Sequence, residues 1–133
     1  MSAIVQNVPE INEHDLSLKT ATDLSAHQYH FVKIASGIIS LAATGEKAIG
    51  ILQNAPVGTA TVAAVAHIRV MGLSKLKYED TIAASDYLKP NTTSSGKAIK
   101  AGTNKDQYGA VAVDDGVTGD LGVVIVEHGQ VNV

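Results

Sequence analysis

The stretch GILQNAPVGTATVAAVAHIRV, Gly50–Val70, decides how the rest of the chain is read. Gly50–Gln53 is a short apolar run. Asn54-Ala55-Pro56-Val57-Gly58 then reads as a turn, since Pro56 has no N–H to give a central ladder and Asn and Gly take the angles that turns need. Thr59–Met71 reads as the best strand of the chain. On it Val62, Ala64, Ala66, Ile68 and Val70 share one face, and Thr61, Ala63, Val65, His67 and Arg69 share the other. The first face is apolar throughout and is expected to look at the core, while the second turns polar toward its end. An Ala-rich run is compatible with a helix, but the β-branched content and the flanking Gly58 and Gly72 favour a strand. Two strands around a proline turn carry one Arg, one His and no carboxylate or thiol. They are a scaffold with little chemistry on it.

The same texture extends outward in both directions. Gln28–Ile34 (QYHFVKI), Gly37–Ala43 (GIISLAA) and Lys47–Gln53 (KAIGILQ) are short β-like runs, split by Ala-Ser-Gly and Thr-Gly-Glu. Both gaps have hairpin length, with Gly available for a positive φ. Lys97–Gly102, Ala110–Gly116 and Leu121–Gly129 read as further strands. The last is apolar on both faces from Leu121 to Val126 and is expected to be central, and the tail after it is expected to pair at an edge. Met71–Lys75 (MGLSK) reads as a turn. Tyr78–Pro90 is the one segment with room for a helical turn, capped by Asp80 or Thr81 and ended by Pro90. Seven or eight short strands with frequent Gly turns predict an all-β barrel or sandwich with at most a short helix. Residues 1–20 are polar and acidic, with isolated Ile4, Val5, Val8 and Ile11, and predict an extended arm ahead of a body spanning residues 21–133. The spaced apolar residues suit docking onto a neighbour by an added strand, although a frayed terminus fits as well.

Composition narrows the function. A single domain of 133 residues can bury a core without staples, and here that core must come from Val, Ile, Leu and Ala, because there is one Phe and no Trp. The absence of Cys excludes disulfides, thiolate metal sites and cysteine nucleophiles. Net charge is −3 with scattered Lys and Arg, so the basic stripe of a nucleic-acid binder is missing. No apolar run approaches the length of a membrane helix, and the N-terminus lacks the layout of a secretory signal. Production in a cytosol is expected.

The candidate chemistry is thin. His27 and His30 lie three apart in an expected strand, which points them to opposite faces and prevents chelation unless the strand breaks there. His67 beside Arg69 fits a hydrogen-bonded or interface histidine, and Glu127-His128 is a weak dyad. Asp114-Asp115-Gly116 with Asp120 lacks the regular calcium-loop spacing and is equally explained by turn formation. Gly45, Lys47 and Gly50 do not make a phosphate loop. Lys75 is separated from Met71 by three residues, unlike the modified lysine of a carrier domain. No motif marks a nucleophilic Ser. No catalytic residue, metal or cofactor is expected, and the Gln53, Asn54 and Pro56 turn is expected to be structural.

DLSAHQYHFVKI, followed by KAIGILQNAPVGTATVAAV, then TIAASDYL, the Gly96–Ala98 strand and the closing Gly122–Glu127 strand, resembles the head decoration, or capsid cement, proteins of tailed bacteriophages. The similarity runs over about residues 20–128, and Gly-Ile-Leu-Gln-Asn-x-Pro is its most specific part. The resemblance implies a small β-barrel or β-tulip-like fold on the outer surface of an icosahedral head. It also implies the major capsid protein as partner, a homo-oligomer with a trimer favoured over a dimer, and reinforcement of the shell against internal DNA pressure. In that setting Ile4, Val5, Val8 and Ile11 would contact the capsid or a neighbouring subunit. A tail or fibre component is the alternative.

Overall fold

A computed structural model describes residues 14–132. It is all-β, and no helix occurs among the described residues. The first half forms a closed barrel from β1 (Asp15–Thr20), β2 (Phe31–Ala35), β3 (Ile38–Leu41), β4 (Gly50–Leu52) and β5 (Ala64–Arg69), in the order β1-β3-β2-β4-β5. The second half forms a five-stranded sheet from β6 (Gly72–Lys77), β7 (Tyr87–Pro90), β8 (Ala98–Lys100), β9 (Gln107–Ala112) and β10 (Leu121–Gln130), in the order β6-β10-β9-β7-β8.

Local sequence explains the elements. β2 and β3 are joined by Ser36 and Gly37, both at positive φ (52° and 76°), as a tight antiparallel hairpin demands. The hairpin expected at Thr-Gly-Glu does not form: β4 pairs with β2 and β5, and β3 lies on the far side of β2. The long strand expected over Thr59–Met71 is shortened to Ala64–Arg69. Val62 N donates to Thr59 Oγ1 at 2.9 Å and Thr59 N to Val62 O at 2.7 Å, a side-chain turn that competes with the ladder. Ala66 and Ile68 are buried as the alternation requires, and Val65 and His67 point outward, but Val62 is exposed.

Three further stretches differ from their sequence reading. Asp15–Thr20, expected in the arm, is β1 of the barrel, paired residue for residue with β5 from Asp15↔Arg69 to Thr20↔Ala64. Residues 15–20 are therefore part of the barrel. Met71–Lys75 is mostly strand β6, not a turn. Tyr78–Pro90 holds no helical turn. Asp86 Oδ2 accepts from Ala83 N at 2.9 Å, Ser85 takes a φ of 76°, and the chain then enters β7.

Two packed cores share one body. Leu24, Val32, Ile39, Leu52, Ala66 and Ile68 fill the barrel. Phe31, Ile51, Leu76, Tyr78, Leu88 and Val124 belong to a second core, which the inner face of the sheet covers. Phe31 and Ile51 come from barrel strands, so the two halves interlock. Tyr78 lies flat across two glycines. A Cβ on Gly116 would come within 2.6 Å of its Cδ2, and one on Gly122 would overlap its ring carbon Cζ and hydroxyl. Both margins of the sheet are occupied. Along β6, Arg69 Nη1 donates to Leu73 O at 2.7 Å and Lys77 N to Tyr29 O at 2.9 Å. Along β8, Glu79 N donates to Ala98 O at 2.8 Å and Lys100 N to Asp80 Oδ2 at 3.2 Å.

Candidate binding surface

Register fixes which side chains share the outer face of the sheet. Leu73 stands opposite Ile125, Ile125 opposite Val111, and Val111 opposite Tyr87. Four adjacent strands each place one apolar residue in a continuous cross-strand row. Beside it, Val123 stands opposite Lys75 and Leu121 opposite Lys77, and Val113 N donates to Val123 O at 2.9 Å. Leu73, Tyr87, Val113, Leu121, Val123 and Ile125 are between 36% and 59% exposed. Tyr108 packs against Tyr87 with ring centroids 4.3 Å apart. Scattered apolar residues on a surface are ordinary, but a contiguous patch is a candidate for an interaction surface. On the β6 flank Lys75 Nζ lies 5.7 Å from the centre of the Tyr29 ring.

β10 is central in the sheet, as its apolar run predicts, yet only its Gly122, Val124 and Val126 face is buried. The other apolar face looks at solvent. The strand is central and apolar on both faces, as its sequence reads, with one of those faces left uncovered.

The Gln53, Asn54 and Pro56 turn is tied to its neighbours by side-chain and backbone bonds. Gln53 Nε2 donates to Ile51 O at 3.0 Å and to Ser74 Oγ at 2.8 Å, tying the turn to β6. Asn54 Nδ2 donates to Val65 O and Asn54 Oδ1 accepts from His67 N, each at 2.9 Å. The side chain thus extends the ladder of β5 where no backbone strand stands. Pro56 is buried and its carbonyl accepts from Leu24 N at 2.9 Å. Ile4, Val5, Val8 and Ile11 lie outside the described residues.

His27 and His30 do not point apart, because residues 25–30 form turns and β2 starts only at Phe31. Their rings meet edge to face at 5.0 Å, and Tyr29 between them has a φ of 66°. His30 is buried with Nδ1 2.6 Å from Ser95 O, and burial pushes its pKa below the usual imidazole range. No group of three or more His, Asp or Glu able to hold a metal occurs among the described residues. His67 Nδ1 lies 2.8 Å from Ser17 Oγ across the β1–β5 pair. Asp15 clasps Arg69 through both oxygens, at 2.5 Å to Nε and 3.2 Å to Nη2. Asp114, Asp115 and Asp120 accept from the backbone N–H groups of Val123, Ala84 and Val117 at 3.0, 2.8 and 2.9 Å. Asp120 closes a turn, while Asp114 and Asp115 tie the loop to β10 and to the segment ahead of β7.

No protein-family model and no curated protein matches the chain. Among solved structures, the fold is similar to the N-terminal base of the head fibre gp8.5 of bacteriophage phi29, with a TM-score of 0.66 and 13% sequence identity. The match covers 89% of this chain and 98% of that one.

Proposed function

We propose that this protein is a structural component of a tailed-phage virion that decorates the outer surface of the head and stabilises the shell against the pressure of packaged DNA. The observation that carries the reading is the fold shared with a head-fibre base over nearly the full length of both chains. The decoration-protein texture of Asp23–Ile34 and Lys47–Val65 supports it from the sequence side. The work is adhesion rather than catalysis. A stiff double β body presents surfaces to the major capsid protein, with Ile4, Val5, Val8 and Ile11 adding contacts from the N-terminal segment. A closed homo-oligomer, trimeric by the family resemblance, multiplies weak contacts. Joining two or three of them raises avidity by about 10² to 10⁴ without any new surface.

A second reading, a fibre or other appendage of the particle, is favoured by the neighbour being a fibre base. Copy number separates the two, since a decoration protein occupies the whole lattice and an appendage only a few positions. The test is mass spectrometry of purified virions, joined to imaging of heads with and without the protein and to rebinding of purified protein to depleted heads. Regular surface density that disappears with the gene and returns on rebinding is expected. Virions lacking the polypeptide overturn the proposal.

A further inference from the structure

We infer that His30 is an acid-sensitive latch, which holds the β7–β8 loop, residues 91–97, against the barrel while its ring is neutral and releases the loop when the ring becomes an imidazolium. The ring stands at the seam between the two halves of the molecule. Its backbone belongs to the barrel side, where Leu52 N donates to His30 O at 3.0 Å. Its Nδ1 reaches across the seam to Ser95 O at 2.6 Å. A carbonyl oxygen only accepts, so Nδ1 carries the proton of the neutral ring. The next residue repeats the tie through the backbone, with Phe31 N donating to Gly96 O at 2.6 Å. A Cβ on Gly96 would overlap Phe31 O and come within 3.1 Å of His30 Cβ, so the loop sits tight on this stretch. Asn91 gives the loop its shape, its Oδ1 accepting from Ser95 N at 3.2 Å and its Nδ2 donating to Ser95 Oγ at 2.7 Å, and Thr44 N holds the base through Asn91 O at 2.9 Å. The His30 and Phe31 bonds seat the far end.

The surroundings of the ring oppose a second proton. His27 meets it edge to face with the two Nδ1 atoms 3.4 Å apart, and Lys97 ahead of β8 and Lys77 at the end of β6 add positive charge. Glu79, the acid tied to this loop, bonds Asn91 Nδ2 rather than either ring. The added proton would sit on Nε2, for which no acceptor stands among the described residues, and at 4% exposure the residue has little access to water. Burial is the largest influence, and it outweighs the Ser95 bond and combines with the cations to hold the ring below the ordinary 6.5. Opening the loop returns the ring to water and to that ordinary value. Below pH 6.5 the opened state therefore takes a proton that the closed state does not. The latch is complete above that pH and is lost as pH falls through the ring's lowered value.

The inference stands apart from the virion reading, because it is tested on the isolated chain by hydrogen exchange followed by NMR. The protection factor of the Phe31 amide, which already divides out the intrinsic effect of pH, is expected to fall roughly three- to tenfold between about pH 7.5 and 5.5. The circular dichroism is expected to stay as it is, since the loop carries no ladder of its own. His30→Gln keeps an N–H donor for Ser95 O and does not titrate, so its Phe31 protection is expected to be level over the same range. His27→Gln removes one opposing charge and is expected to lessen the fall. A wild-type protection factor that stays level overturns the inference, as does a fall that His30→Gln leaves unchanged. Should His30→Gln not fold, the NMR titration of the His30 ring in the wild type decides. A midpoint below the ordinary 6.5 together with the loss of protection supports the latch, and a midpoint at or above it overturns the latch.

Discussion

At the scale of single residues, a few side chains hold positions that no neighbour can take over. Asn54 bonds two backbone groups on one edge of β5, Val65 O and His67 N, through one amide group. Asn54→Ala removes two hydrogen bonds and is expected to cost about 1–2 kcal/mol, read as a lower urea midpoint with an unchanged slope. Gly122 has no room for a Cβ because the fully buried Tyr78 ring occupies the space. Gly122→Ala is therefore expected to cost about 3 kcal/mol, at the upper end of overpacking, while alanine at Gly102, where nothing lies within 4 Å of the added atom, is expected to be near neutral. Tyr78 also gives the molecule a pH signature. Burial first, and then the nearby Asp114, raises its phenol from 10.0 to about 12. The folded state holds the proton more tightly than the unfolded chain. The stability Tyr78 contributes is thus complete below pH 10 and is lost as pH rises toward 12. Urea midpoints measured through that window are expected to fall more steeply for the wild type than for Tyr78→Phe.

At the scale of elements, β1 decides whether the barrel closes. Six residues of β1 pair with β5, and Lys19 pairs with Ile38 of β3, so this strand closes the barrel. Removing residues 1–13 is expected to leave the thermal midpoint within about 2 °C and to weaken head binding. Removing residues 1–20 opens the barrel and is expected to abolish cooperative unfolding. A shared midpoint for the two truncations would mean that β1 does not close anything. Legibility follows the same line. β2, β3, β5 and β10 were readable because alternation, β-branched residues and a Ser-Gly turn all agree there. β1 was hidden because Asp15-Leu-Ser-Leu-Lys-Thr is half polar, and Leu16 and Leu18, opposite Ile68 and Ala66 of β5, look like the isolated apolar residues of an arm. β6 was hidden because Gly72 and Ser74 resemble turn residues, and β7 because Asp80, Thr81 and Pro90 resemble helix signals. In each, long-range pairing overrode the local cue.

At the scale of the whole molecule, Phe31 shows why the two halves behave as one. It belongs to a barrel strand, yet its ring packs in the core under the sheet, and its N–H donates to Gly96 O at 2.6 Å. Phe31→Ala is expected to cost about 3–5 kcal/mol, and calorimetry is expected to show a single transition lowered as a unit. Two separate transitions would mean that the halves fold independently. The outer apolar row of the sheet belongs to this scale too. Its residues were all visible in sequence, but their alignment into one row depends on the registers of three strand pairs that no local pattern encodes. The His27–His30 contact was likewise set by where β2 starts and not by spacing.

The occupied margins of the sheet carry one last implication. Arg69 and Tyr29 hold the backbone of β6, and residues 79–80 hold that of β8. Those backbone groups are already bonded and do not offer themselves to another chain's ladder, which is the route by which exposed strands run on into fibrils. Growth by side chains across a face ends when the rotation closes, whereas growth by ladder has no natural end. At high concentration the protein therefore meets its own copies with these margin groups already bonded.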